Sequence, residues 1–296
     1  MNAQPIPKDL LRSIRRLAIR TNRLATDVFV GNYRSAFKGQ GMEFEEFREY
    51  MEGDDVRRID WNVSARTQHP LIRLFREERE LTVLLAVDRS GSGDWGSGNR
   101  SKRYRMAEVA ALLAFSAVRN GDRAGLILFT DRVEKIVRPE KGEQHAMRLV
   151  RDILYHPCRG AATDLNAPLG ALNHIFRRRA IVFLLTDFLA ESYERALRIT
   201  AARHDLIPLH IVDDGERRLP DAGWVAFADA ETGERLEINT SDPAARVIFE
   251  SEAAARLGRV KERCRRARAD LVQIDAEAPF EKALRRFFEL RRLHRR

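Results

Sequence analysis

From Leu81 onward, apolar residues fall into short unbroken runs separated by stretches where they recur every three or four positions. Leu81–Val87, Ala124–Phe129 and Ala180–Leu185 are the clearest runs, and Asp205–Val212 is a fourth. The intervening segments 104–119, 143–154, 165–176 and 193–203 have helical spacing. Strands without alternation are strands buried on both faces. Their alternation with helices predicts a mostly parallel sheet covered on both sides. Val133–Val137 is placed to pair with the run before it as a hairpin. Trp224–Ala228 and Arg235–Ile238 flank Thr232-Gly233, which predicts a hairpin inserted at the sheet edge. A long basic helix over about 243–269, a strand over 271–274 and a last helix opened by Pro279 complete the pattern.

The N-terminal part reads differently. Leu10, Leu11, Ile14, Leu17, Ala18 and Leu24 give an amphipathic helix from Pro7 to about Asp27. Residues 31–80 are charged and punctuated by Gly39, Gly41 and Gly53-Asp54-Asp55, which predicts an irregular, partly β segment. Asp54, Asp55 and Asp60 lie close in sequence to Arg57, Arg58 and Arg66, an arrangement suited to an ion-pair network. The expected division is a helix over 1–30, the charged segment over 31–80, and an α/β domain over 81–296 with the hairpin near 223–239.

Composition narrows the class. Hydrophobic residues at 44% with 33% charged describe a soluble globular chain rather than a disordered one. No run approaches the roughly 18 apolar residues of a membrane helix. The positively charged start lacks an apolar core of signal-peptide length, so a cytoplasmic protein without a transmembrane anchor is expected. Two cysteines, Cys158 and Cys264, are too few for a disulfide framework. Lys and Arg outnumber Asp and Glu by 53 to 44, a net charge of +9 concentrated toward the C-terminus. The basic run 256–268 is not interleaved with aromatics, so a nucleic-acid surface is the weaker reading and a solvated or acid-binding face the stronger.

In doubly wound sheets, ligands bind where strands end at a topological switch point. Two buried runs here end in aspartates, Asp88 and Asp187, and the polar loop 160–164 lies between them in sequence. In Asp88-Arg89-Ser90-Gly91-Ser92 alternate side chains can converge. Asp88, Ser90, Ser92, Thr163 and Asp187 offer only oxygen donors, which suits Mg²⁺ or Mn²⁺. These five donors leave a position of such a cation's shell open, which an acidic residue of a partner protein could fill. Asp94 and Asp164 are candidates for a supporting role. Taken alone, Thr163 or Asp164 could instead cap the helix beginning near Leu165, and Asp187 could cap the segment after it. Catalysis has no constellation: there is no G-x-x-x-x-G-K-[ST] loop, no G-x-S-x-G elbow, and Ser90 stands where an aspartyl-phosphate phosphatase needs a second carboxylate.

The order Asp88-x-Ser90-x-Ser92, Thr163, Thr186-Asp187 resembles the metal-ion-dependent adhesion site of von Willebrand factor A domains. The upstream stretches Gly41-Met42-Glu43-Phe44-Glu45-Glu46-Phe47-Arg48-Glu49-Tyr50, Gly53-Asp54-Asp55-Val56-Arg57-Arg58-Ile59-Asp60-Trp61 and Ser64-Ala65-Arg66 resemble the bacterial domain-of-unknown-function-58 family. The resemblance runs from about Gly31 to the end of the α/β body. It implies a Rossmann-like von Willebrand factor A domain preceded by an N-terminal helix and a partly β segment. It also implies a metal-binding interaction module, not an enzyme, that works beside MoxR-type AAA+ ATPases in chaperone-like assembly or maturation. The chain departs from the pattern at Gly93-Asp94-Trp95-Gly96-Ser97-Gly98, where many relatives continue directly with methionine, so a longer or more mobile loop is expected there. The alternative function is a nucleic-acid-binding protein using the basic C-terminal helices.

Overall fold

The computed structural model describes residues 21, 24, 27–37, 42–77, 80–98, 101–230 and 233–294. Most of the amphipathic helix expected before Asp27 lies outside them. What is described begins with α1 (Asp27–Phe37), which runs straight through Gly31, where the irregular segment was expected to start. The reason is a stripe of aromatics at helical spacing: Phe29, Tyr33 and Phe37 are all buried. They pack with Phe288, whose ring lies 5.4, 6.0 and 5.8 Å from theirs. Gly31 is exposed on the opposite side. A mid-helix glycine costs only about 1 kcal/mol relative to alanine, against ~1.5–3 kcal/mol for each large apolar side chain buried.

Residues 42–77 carry a two-stranded sheet of their own. β1 (Met42–Glu49) pairs antiparallel with β2 (Leu71–Glu77) across a bulge between Phe44 and Glu46. Between them α2 (Trp61–Thr67) is capped by Asp60, whose carboxylate accepts from the backbone of Asn62 and Val63. The ion pairs expected among neighbouring charges use other arginines. Asp60 pairs with Arg73 at 2.5 Å and Asp54 with Arg48 at 2.9 Å, because the hairpin brings these strand arginines to the loop.

The main sheet has six strands in the order β10-β7-β6-β3-β4-β5. β3 (Thr82–Asp88), β4 (Arg123–Phe129), β6 (Ile181–Thr186), β7 (Asp205–Val212) and β10 (Val272–Asp275) are parallel. β5 (Val133–Glu140) closes one edge antiparallel to β4. This is the Rossmann-like α/β architecture that the apolar runs predict, with helices on both faces. Val83, Leu85 and Val87 of β3 face one core with α1, α3 (Lys102–Arg119), α4 (Glu143–Tyr155) and α8 (Phe280–His294). Leu84 and Ala86 face the other, with α5 (Asn166–Ile175), α6 (Glu194–Arg203) and α7 (Pro243–Arg266). β3 and β6 lie side by side while the chain leaves them for opposite halves of the sheet, so the switch point falls between their C-terminal ends.

The hairpin β8 (Trp224–Ala228) and β9 (Arg235–Asn239) does not join the sheet edge as expected; it is a two-stranded sheet of its own. β10 pairs directly with β7 and takes the position an inserted strand would need. The hairpin turn instead reaches the loop after β3, where a Cβ at Gly91 would drive into the carbonyl oxygen of Ala230. Among the described residues, no helix is long and apolar enough to cross a membrane.

Candidate metal centre

The parallel register places Val87 beside Leu185, so β3 and β6 deliver Asp88 and Thr186 to the same level. The Thr186 hydroxyl donates to Asp88 Oδ2 at 2.6 Å. The Ser90 backbone N–H donates to Asp88 Oδ1 at 2.9 Å, folding the loop back on the carboxylate. That turn sets the Ser90 and Ser92 hydroxyl oxygens 3.0 Å apart. Ser92 in turn hydrogen-bonds the Asp187 carboxylate, which also accepts from the Leu189 backbone at 3.3 Å. Asp88, Ser90, Ser92 and Asp187 are 2%, 1%, 7% and 4% exposed. Four of the five residues expected to act together are therefore gathered in one buried oxygen cluster at the switch point.

Thr163 is half-buried on the neighbouring loop. That loop is tied to the cluster by the Gly91 N–H, which donates to the Ala161 carbonyl at 2.7 Å. Asp94 and Asp164 point their carboxylates elsewhere. Asp94 forms an ion pair with Arg103 at 2.5 Å and is 58% exposed. Asp164 accepts from the backbone and side-chain nitrogens of Asn166 at 2.8 and 2.9 Å, closing the start of α5.

Two features escape a reading along the chain. One is Lys102, the first residue of α3, which is 1% exposed. Its ammonium donates to Asp187 Oδ2 at 2.6 Å and to the Glu216 carboxylate in the turn after β7. A cation at a helix N-terminus opposes the helix dipole, and that mismatch at Ser101-Lys102 is the signal in the sequence. The other is how the glycine-rich stretch is seated. Ser97 N–H donates to Asp213 at 3.2 Å, Lys102 N–H to the Trp95 carbonyl at 3.1 Å, and a Cβ on Gly215 would lie 2.6 Å from the Trp95 ring. Asp213 and Glu216 form a reciprocal capping box that fixes this turn.

Electrostatics follow from this geometry. Burial raises Asp88 to about 7, and the charge of Asp187 pushes the same way. Burial also works to raise Asp187, but the Lys102 ammonium outweighs it and holds Asp187 below the usual carboxylate range. Lys102 is likewise raised, its two acidic partners overcoming burial. His210, beside Asp187, is pushed down to about 4 by burial and is neutral near pH 7. Among the described residues, no three His, Cys, Asp or Glu side chains converge as a metal site. Any cation here would rely on hydroxyl as well as carboxylate oxygen. This donor set fits a hard divalent ion.

The basic C-terminal helices spend part of their charge internally. Arg263 pairs with Glu194 at 2.6 Å and stacks on Tyr193, and Arg265 and Arg266 both pair with Glu262 at 2.8 Å. Arg291 pairs with Asp205 and lies over Phe37 and Phe287.

A doubly wound α/β domain with a carboxylate–hydroxyl cluster at its switch point is thus the class of protein. Residues 46–258 match the family described as "Protein of unknown function DUF58", and the chain belongs to it. It is 34% identical over 286 residues to "Uncharacterized protein Rv1480" of Mycobacterium tuberculosis, covering 96% of this chain and 90% of that one. Among solved structures it is similar to BatB of Bacteroides thetaiotaomicron, with 13% identity and a TM-score of 0.44 over 71% of this chain and 98% of that one. It is also similar to the SpRpn10 VWA domain, with 12% identity and a TM-score of 0.36 over 69% and 93%.

Proposed function

We propose that this protein is a metal-dependent protein-interaction module of the von Willebrand factor A type. In this reading Asp88, Ser90, Ser92, Thr163 and Asp187 hold Mg²⁺ or Mn²⁺, and an acidic side chain of a partner completes the shell. The observation that carries the reading is the buried convergence of Asp88, Ser90, Ser92 and Asp187 where two parallel strands end at the switch point. Binding is favoured over catalysis because both carboxylates are already engaged, Asp88 by Thr186 and Ser90, and Asp187 by Lys102. A bound cation would supply Lewis-acid attraction for a partner carboxylate. Asp88, Ser90, Ser92 and Asp187, all buried, would be the residues of this chain that hold it. The family resemblance supplies the partner class, a MoxR-type AAA+ ATPase, with this protein as its adaptor in chaperone-like assembly or maturation. Titration calorimetry with Mg²⁺ and Mn²⁺ tests the site. The reading expects saturable binding by the full chain and none by a combined Asp88→Ala, Ser90→Ala variant; equal binding by both would refute it.

A further inference from the structure

Lys102 is buried at the first position of α3, where neither burial nor the helix dipole favours an ammonium. Two acids from different strand ends compensate it. Asp187 follows β6, and Glu216 sits in the turn after β7. Asp187 Oδ2, which accepts from this ammonium at 2.6 Å, is one of the carboxylate oxygens a divalent cation at the site would use. We infer that Lys102 is a resident competitor for that cation, with Glu216 receiving the ammonium when Asp187 is taken up by metal. The inference rests on the metal reading above and deepens it by naming what sets the affinity.

The charge balance says what such a lysine accomplishes. Asp88 and Asp187 carry two negative charges between them, and while the ammonium stays on Asp187 rather than on Glu216 only one of the two is free to act on a divalent ion. A partner carboxylate makes up the difference. Lys102 therefore keeps the cation weakly held by this chain alone and ties tight binding to the arrival of an acidic group. Glu216 is suited to receive the ammonium. It already contacts it, is itself held by the capping box with Asp213, and belongs to the turn that seats Ser97 and Trp95. Exchange between the two acids needs only a small movement of the lysine tip.

The test is Mn²⁺ titration of the full chain by calorimetry, with K102M and E216Q beside the wild type and circular dichroism to establish that each is folded. K102M keeps the apolar stem and removes the charge. Its Kd is expected to fall by about ten-fold or more, the scale on which a like charge within ~4–6 Å acts. E216Q strands the ammonium on Asp187, so its Kd is expected to rise about three-fold or more. Movement in these opposite directions supports the inference. A folded K102M that binds Mn²⁺ no more tightly than wild type overturns it. If K102M does not fold, an unchanged Kd in E216Q overturns it. Failure of all three proteins to bind Mn²⁺ refutes the metal reading itself, whereas binding by wild type with unmoved variants refutes only the role of Lys102.

Discussion

Replacing Asp88 by Asn should stabilise the metal-free protein near neutral pH, the reverse of the usual outcome for a buried polar residue. Burial and Asp187 raise the Asp88 carboxyl from 3.8 to about 7. Between those values the folded protein holds a proton that the unfolded chain has released. Stability therefore falls as pH rises through this window, is complete below it, and levels off above it. The resulting penalty above pH 7 is on the order of a few kcal/mol. Asn removes the charge but retains only part of the hydrogen bonding that Thr186 and the Ser90 N–H provide. A loss of about 1–2 kcal/mol for the imperfect pairing leaves a net gain on the order of 2 kcal/mol. That corresponds to roughly 4–8 °C in Tm for a domain of this size. Urea and thermal melts in EDTA at pH 4, 6 and 8 measure it. D88N should lie above wild type at pH 8, lie closer at pH 6, and fall about 1 kcal/mol below it at pH 4. A D88N protein less stable than wild type at pH 8, or a difference independent of pH, would show that burial and Asp187 do not govern this carboxyl.

Other consequences are smaller or more local. Phe288→Ala empties the cluster shared by Phe29, Tyr33 and Phe37, and should cost about 3–5 kcal/mol in denaturant melts. Gly91→Ala forces a Cβ against the Ala230 carbonyl; the strain should cost about 1–3 kcal/mol and weaken Mn²⁺ binding measured by calorimetry. Saturating Mg²⁺ should raise the Tm of wild type, by about 2.7 kcal/mol of stabilisation at one hundred times Kd, and leave the combined Asp88→Ala, Ser90→Ala variant unmoved.

The sheet was largely legible in the sequence because β3, β4 and β6 are buried on both faces and read as continuous apolar runs of strand length alternating with helical segments. Asp88 and Asp187 were legible for the same reason: Asp88 directly follows such a run, and Asp187 follows one after Thr186. α1 extends past the boundary expected near Gly31, because the aromatic spacing of Phe29, Tyr33 and Phe37 that carries the helix becomes meaningful only with Phe288 opposite. The hairpin was recognised from Thr232-Gly233, but its position depends on β10 taking the edge beside β7, a long-range pairing that no local pattern encodes. Lys102 and Glu216 lie 114 residues apart and meet through one flexible side chain. A long side chain with several rotatable bonds leaves no periodic trace, so the counter-cation of the site emerged only from the fold. Asp94 and Asp164, candidates for a supporting role, are instead engaged by Arg103 and by Asn166 at the start of α5.

The central claim is that the cluster at the ends of β3 and β6 uses a divalent cation to hold an acidic partner. The most direct measurement is a pull-down on the tagged full chain in Mg²⁺ and in EDTA, with the Asp88→Ala, Ser90→Ala variant alongside, and mass spectrometry of what is retained. The account predicts a P-loop AAA+ ATPase recovered by wild type in Mg²⁺ and lost both in EDTA and with the variant. Equal recovery of that ATPase in all three would contradict it.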